Sequence, residues 1–317
     1  MITFFQQFFG DNRQSNQQKK TSAPHSRRLH VESLESREML SISPADYDSI
    51  RATYPDLNLS AEMDDYNVIE ITSDQLTDAN LREAIETAGA TAENDLIVLR
   101  TTDSQNTITL SGTELSIDIN ADELGSVTIV SLGDEKLTID ANQKSRVLSV
   151  AESSEVGLAG LVVTDGRPNI SLDGGIYNTG VLTVANCTIS GQYLWSEGGA
   201  IYNKGNGLLT VAHSTILGNT AYGICNYDGT SIVTNCLISE NTHGGIYNRR
   251  GTITVSNSTI SENISHGILN EYEGFLTVTN CMVSKNLGRG IFSFSGTAAV
   301  SDTVISENRY PLDSTLP

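Results

Sequence analysis

Five side chains in the C-terminal half, His243, Arg249, Arg250, His266 and Arg289, are of the types that acid–base chemistry uses. A histidine can move a proton near neutral pH, and an arginine can hold a carboxylate. Together they would suit β-elimination on an acidic sugar, in which a base takes the α-proton while a cation neutralises the uronate. Their positions offer a plainer role. Arg249 and Glu271 stand one repeat apart, as do Asp228 and Arg250. Glu240, Glu262, Lys285 and Glu307 share another column, and His266 with Arg289 a third, with His243 nearby. Mixed signs along a column are what axial ion pairs between stacked units require. The five are therefore the groups to test for catalysis, and salt-bridge ladders are the reading that fits their pattern better.

A second set points to binding. Tyr177, Tyr202, Tyr247 and Phe292, with Cys225 and Leu269 between them, recur once per repeat beside an isoleucine. If the isoleucines point inward, this set points outward at about 4.8 Å intervals, close to the rise per sugar of an extended polysaccharide. Sugar rings stack on aromatic faces, so the stripe is a candidate glycan platform. The competing reading is a stripe that stacks on itself or is covered by another part of the chain.

What positions these residues is a repeat. The isoleucines Ile176, Ile201, Ile224, Ile246, Ile268 and Ile291 are 25, 23, 22, 22 and 23 residues apart. Val211, Val233, Val255, Val278 and Val300 keep the same step, and so do Asn219, Asn241, Asn263, Asn286 and Asn308. A fixed period in the twenties implies a solenoid whose units bury apolar faces only against their neighbours. Each unit holds three short alternating runs, such as "GIYN", "TITV" and "STIS", separated by Gly, Asn and Ser. Three strands per turn without a helix predict an all-β, right-handed parallel β-helix. Ile189, Ile216, Ile238, Ile260, Val283 and Ile305 should fill the third inward column, with Val184 heading the second. Asn178, Asn203, Asn226, Asn248 and Asn270, closed by Ser293, predict an amide ladder along the axis. Asn186, Asn235, Asn257 and Asn280 mark another turn, with His213 and Asp302 as exceptions. The outward strand positions, as at Thr183, Thr210, Thr254 and Thr277, make a nearly neutral face.

Cys187, Cys236 and Cys281 share one column two turns apart, about 9.6 Å, too far for a disulfide, and no C-x-x-C pair suggests a metal. Upstream, "DLIVL", "NTITLSGTELSI", "SVTIVS", "KLTID", "RVLSV" and "GLVVTDG" read as strands of about three less regular turns. Before them, 78–88 reads as an amphipathic helix, with Asn80 and Glu83 at capping-box spacing and Leu81, Ile85 and Ala88 on the face that would cap the open end.

The net charge of −19 is uneven: residues 41–166 carry 6 Lys/Arg against 24 Asp/Glu. An acidic body argues against nucleic acid as a partner, and no apolar run reaches membrane-spanning length. The organisation expected is a disordered leader at 1–40, an acidic linker at 41–66, the β-helix at 67–310 with regular repeats at 174–308, and a tail at 311–317 that supplies no obvious cap. The open last turn makes end-to-end or larger surface assembly a candidate interaction.

Two resemblances accompany this reading. Leu34-Glu35-Ser36-Arg37-Glu38-Met39-Leu40 resembles the LEPR-XLL motif of planctomycete proteins, with Ser36 and Met39 departing from it. That implies export or display at the cell surface. "LREAI", "LTIDANQKSRVLSV", "LAGLVVTDG" and "GGIYNTGVLTVANCTISG" resemble the pectin-lyase-like β-helix superfamily, in particular proteins with polymorphic-outer-membrane-protein-like "GGAIYN" repeats. The superfamily includes lyases, glycosidases, epimerases and adhesins, so it implies a fold and not an activity. Its hydrolase motifs are not met: "NTG" stands at Asn178–Gly180 and "THGG" at Thr242–Gly245, and the epimerase-type D-P-H-D is absent. The expectation is a secreted or cell-surface repeat protein, non-catalytic, adhesive or binding a polysaccharide or cell-surface glycan. The alternative is a polysaccharide lyase, and only that alternative would call for a cofactor, Ca²⁺.

Overall fold

The computed structural model describes residues 42–168, 174–193 and 198–310. The motif at Leu34–Leu40 and the 311–317 tail lie outside the described residues. No helix among those described is long and apolar enough to cross a membrane.

The repeat folds into a parallel solenoid with three strands per turn. Its strands form sheets of ten, eight and nine, and every strand pairs with the strand one turn away. The pairing is in register: Ile176 lies opposite Ile201, Val184 opposite Val211, and Ile189 opposite Ile216. The three expected inward columns make the core. From Ile176 to Ile291 every isoleucine of the first column has no exposed surface, and Val300 and Ile305 at the last turn pack against the cluster from its end. Burying each such side chain contributes roughly 1.5–3 kcal/mol, which is why the period tolerates variation at the turns and not here.

Amides inside this core bond to one another along the axis, beginning at Asn178, whose own buried Oδ1 accepts no hydrogen bond from the described residues. Asn178 donates through Nδ2 to Oδ1 of Asn203 at 2.7 Å, and the chain continues through Asn226, Asn248 and Asn270 to the hydroxyl of Ser293. Each amide also reaches a turn carbonyl, as Asn226 does at Gly229. This fixes a glycine at the turn after the ladder position: a Cβ at Gly251, three residues after Asn248, would sit 2.2 Å from Nδ2 of Asn226 on the preceding turn. The Asn219 column forms a second ladder, with Nδ2 to Oδ1 distances of 2.9–3.0 Å through Asn241, Asn263, Asn286 and Asn308. Sequence periodicity marked this column without revealing that it was a ladder. Asn263, which with Ser265 makes an N-x-S sequon, is a buried member of it.

The remaining Asn column is different. Asn186, Asn235, Asn257 and Asn280 take left-handed backbone conformations with φ of 51–54°, and His213 and Asp302 do the same at 49° and 48°. Asn tolerates this region best among residues with a side chain, which explains its dominance there. Glu240, Glu262, Lys285 and Glu307 are also left-handed, at 55–59°, so their column is first of all a turn position.

Helix α2, Asp78–Ala88, buries Leu81, Ala84, Ile85 and Ala88 against the first turn of the core, as a cap should. Its N-cap is Thr77, whose hydroxyl accepts from the Asn80 N–H at 3.2 Å, and not Asn80 as the capping-box spacing suggested.

The stretch expected to be an acidic linker is ordered. Ser43 and Asp46 form a capping box for helix α1, Pro44–Thr53, and short 3-10 turns follow at Pro55–Leu57 and Met63–Asp65. Ile42, Tyr47 and Ile50 are buried against Val68, Leu96, Val98, Val130, Ala159 and Ala185 on the outer face of the ten-stranded sheet. The physical reason is the spacing of Tyr47, Ile50, Tyr54 and Leu57, which builds an apolar stripe beneath an acidic surface. Polar ties pin this arm: Tyr54 Oη to the Ser131 carbonyl at 3.1 Å, Asn186 Nδ2 to the Thr53 carbonyl at 3.0 Å, and Asp56 to His213 Nδ1 at 2.8 Å.

Candidate functional site

Two outer faces of the solenoid could carry function. On the eight-stranded sheet, Tyr177, Tyr202, Cys225, Tyr247, Leu269 and Phe292 line up in register, on the side opposite the buried isoleucines. They do not form an open platform: the stripe stacks on itself, as the competing reading had it. Tyr202 is 7% exposed, Tyr247 4% and Leu269 8%, while Tyr177 and Phe292 are half-buried. Tyr177 and Tyr202 stack at 6.0 Å with planes 9° apart, and Tyr247 stacks on Tyr222 at 5.0 Å. Strand spacing near 4.8 Å is short enough for rings on successive turns to stack on one another. Guanidinium groups take other faces: Arg146 lies over Tyr177 at 4.9 Å and Arg289 over Phe292 at 4.2 Å. A sugar needs a ring face, and these faces are engaged within the protein.

The five candidate catalytic residues are split between the ends of these strands. His243, His266 and Arg289 stand where the chain enters the sheet; Arg249 and Arg250 stand where it leaves, about 20 Å away along a six-residue strand. His243 donates through Nδ1 to the Thr220 carbonyl at 2.9 Å. His266 accepts at Nδ1 from the Arg289 N–H at 3.0 Å. Burial, with the Arg289 charge adding to it, lowers the His266 pKa and keeps the ring neutral. Its basic nitrogen is thus occupied by a backbone donor. Arg250 donates to both Asp228 oxygens at 2.8 Å and to Tyr227 Oη at 3.0 Å. That hydrogen-bonded pair holds the Asp228 carboxyl below its usual range and raises Arg250. Arg249 lies over Tyr227 at 5.0 Å and Tyr272 at 4.4 Å. The Asp228–Arg250 pair is the axial salt bridge that the column pattern suggested.

Other chemistry-bearing groups are similarly engaged. The four cysteines are buried free thiols, and burial pushes Cys187 and Cys236 up to about 11. A thiol so raised stays protonated and unreactive at neutral pH. Among the described residues no group of three or more His, Cys, Asp or Glu is placed to hold a metal ion.

The second face, on the ten-stranded sheet, was noted in the sequence only for its neutrality. Beyond the arm its outward positions fall in three rows. The first is Val181, Leu208, Thr230, Thr252, Phe275 and Thr297; the second is Thr183, Thr210, Ile232, Thr254, Thr277 and Ala299. The third is Thr234, Ser256, Thr279 and Ser301, which continue the fully buried Ala185 and Ala212. None bears an ionisable group, in a chain of net charge −19. Leu208 is 48% exposed, Ile232 48% and Phe275 58%. The result is a strip of hydroxyl, aliphatic and aromatic groups repeating at the strand spacing.

Comparison with known proteins bears on the fold. The model of the family described as "Right handed beta helix region" matches residues 175–312. The solenoid is a right-handed parallel β-helix. Among solved structures, the β-helix is similar to one titled "Crystal structure of pectate lyase Pel9A", at 18% identity and a TM-score of 0.49. The match covers 68% of this chain and 62% of that one, so the chain spans less than two thirds of that structure. No curated protein sequence matches the chain.

Proposed function

We propose that this β-helix is a non-catalytic, secreted or cell-surface binding scaffold that holds an extended, uncharged polysaccharide along the outer face of its ten-stranded sheet. The observation that carries the proposal is the register of the three uncharged rows. A surface that repeats every ~4.8 Å is complementary to a ligand that also repeats, and a linear glycan advances by a similar step per sugar. Threonine and serine hydroxyls can donate and accept toward sugar hydroxyls, and Leu208, Ile232 and Phe275 offer apolar surface to the C–H faces of the rings. The absence of charge on this strip favours a neutral polymer over an acidic one, which the net charge of the chain would repel. Export is supported by the resemblance at Leu34–Leu40.

Co-sedimentation with insoluble cellulose and chitin, and affinity electrophoresis through xylan, test this against pectate and alginate. Retention by a neutral polymer that falls at least about tenfold in Thr254→Glu/Thr277→Glu, two substitutions that leave the core untouched, is the expected result. Equal retention of the variant, or preference for an acidic polymer, overturns it. The same material decides the lyase alternative: growth of unsaturated-uronate absorbance from pectate or alginate, with or without Ca²⁺, would replace the non-catalytic reading.

A further inference from the structure

A groove of about 590 Å³ opens at the N-terminal end of the β-helix. Arg82 and Glu86 of α2, with its C-cap Gly89, form one wall, and Glu114, Ser116 and Asp118 form the other. The strand Leu115–Ile117 is the last of the eight-stranded sheet at this end. Its hydrogen bonds fix which way its backbone faces. Leu115 N–H donates to the Val147 carbonyl at 2.9 Å, and the Ile117 carbonyl accepts from the Ala151 N–H at 3.0 Å. In a strand the amide groups of alternate residues point to opposite edges, so Ser116 N–H and C=O, with Asp118 N–H, face the groove. Glu114 has the same phase, and its carbonyl accepts from Arg82 across the groove at 2.9 Å. Side-chain closure of the edge therefore ends at Glu114.

The charges of the groove divide in the same way. Arg82 is paired with Asp78 at 2.8 Å, and Glu114 with Arg146 at 2.6 Å. Glu86 and Asp118 are exposed and give the remaining groove a negative character.

We propose that this groove binds an extended basic peptide, which adds a strand to the sheet edge at Ser116 and Asp118. Alternating N–H and C=O groups along an edge are complementary to another polypeptide backbone, and the flanking carboxylates select lysine or arginine side chains. The site lies on a different sheet from the proposed glycan strip and does not depend on it.

The test uses the full chain and an acetylated, amidated hexapeptide of alternating lysine and valine, with amide hydrogen exchange read by NMR. Exchange at Ser116 and Asp118 should slow at least about tenfold on saturation. In Glu86→Lys/Asp118→Lys, where both changes are on the surface, the peptide should bind about fivefold to tenfold more weakly. Ser116→Pro removes one edge donor that no neighbouring strand uses and should weaken binding further. Unchanged exchange at millimolar peptide, or equal binding by the charge-reversed variant, overturns the proposal. So does protection produced by cellohexaose instead of the peptide, which would make the groove a sugar site. Protection that grows with protein concentration alone would also overturn it, with a second copy as the occupant.

Discussion

The second and last strands of the ten-stranded sheet share one backbone geometry and present different outer surfaces. A single register-aligned row shows it: Val98, Val130, Ala159, Ala185, Ala212, Thr234, Ser256, Thr279, Ser301. Where α1 and the turns after it lie on the sheet, the row is aliphatic. Where the arm ends it passes through alanine into hydroxyl residues. Strand propensity alone would favour valine or threonine at either end, so the change tracks cover, and the bare rows are composed for contact with water or a wet ligand. The interiors differ too. Regular turns place only neutral amides and hydroxyls inside, the ladder amides each donating to the next. The first turns place the carboxyl of Asp95 inside, fully buried, accepting from Asn67 Nδ2 at 2.7 Å and from Thr91 Oγ1 at 3.3 Å.

Four experiments sharpen or break this contrast. The largest effect should come from Asn226→Asp, which keeps the shape, removes two donors from the ladder and puts an ionisable acid in a dry interior. Urea unfolding at pH 7 should show a loss of about 4 kcal/mol, partly recovered at pH 4 where the acid is neutral. A loss below about 1 kcal/mol would mean that the ladder is wet. Tyr47→Ala, under the arm, should cost about 3 kcal/mol and raise protease sensitivity near Ser43.

Asp95→Asn should act with the opposite sign. Burial raises the Asp95 carboxyl to about 6, against the hydrogen bonds from Asn67 and Thr91, from an ordinary value of 3.8. The folded state then holds a proton that the unfolded state has lost, so stability falls as pH rises through the window from about 4 to about 6. The variant should gain about 1–2 kcal/mol over the parent at pH 8 and nothing at pH 3.5. A gain independent of pH would exclude titration as its cause. The smallest effect belongs to the bare strip: Thr254→Ala should change stability by less than about 0.5 kcal/mol, read by the same unfolding. A cost like that of Tyr47→Ala would show that the strip is covered after all.

The core and its ladders are written into the sequence because a 22- or 23-residue period superimposes every inward position on its neighbour. The Asn219 column kept that period, yet nothing local distinguished a buried amide ladder from a surface turn. The arm was hidden by its acidic residues, although Tyr47, Ile50, Tyr54 and Leu57 already had helical spacing. The tyrosine column was legible as outward, with self-stacking as one of its two readings; the part played by Tyr222 was not, because it occupies another phase of the repeat and only packing brings it near. The uncharged strip was visible in composition, but its exposure depends on where the arm stops.

The polarity of the amide ladders bears on synthesis. In each ladder Nδ2 points toward the following turn, from Asn178 to Ser293 and from Asn219 to Asn308. A chain leaving the ribosome presents its earlier turns first. The newest completed turn then exposes one amide donor per ladder, and the next turn to emerge supplies the oxygen that satisfies it. Each segment is the template for its successor, so this β-helix can lengthen by whole turns in the order in which it is translated.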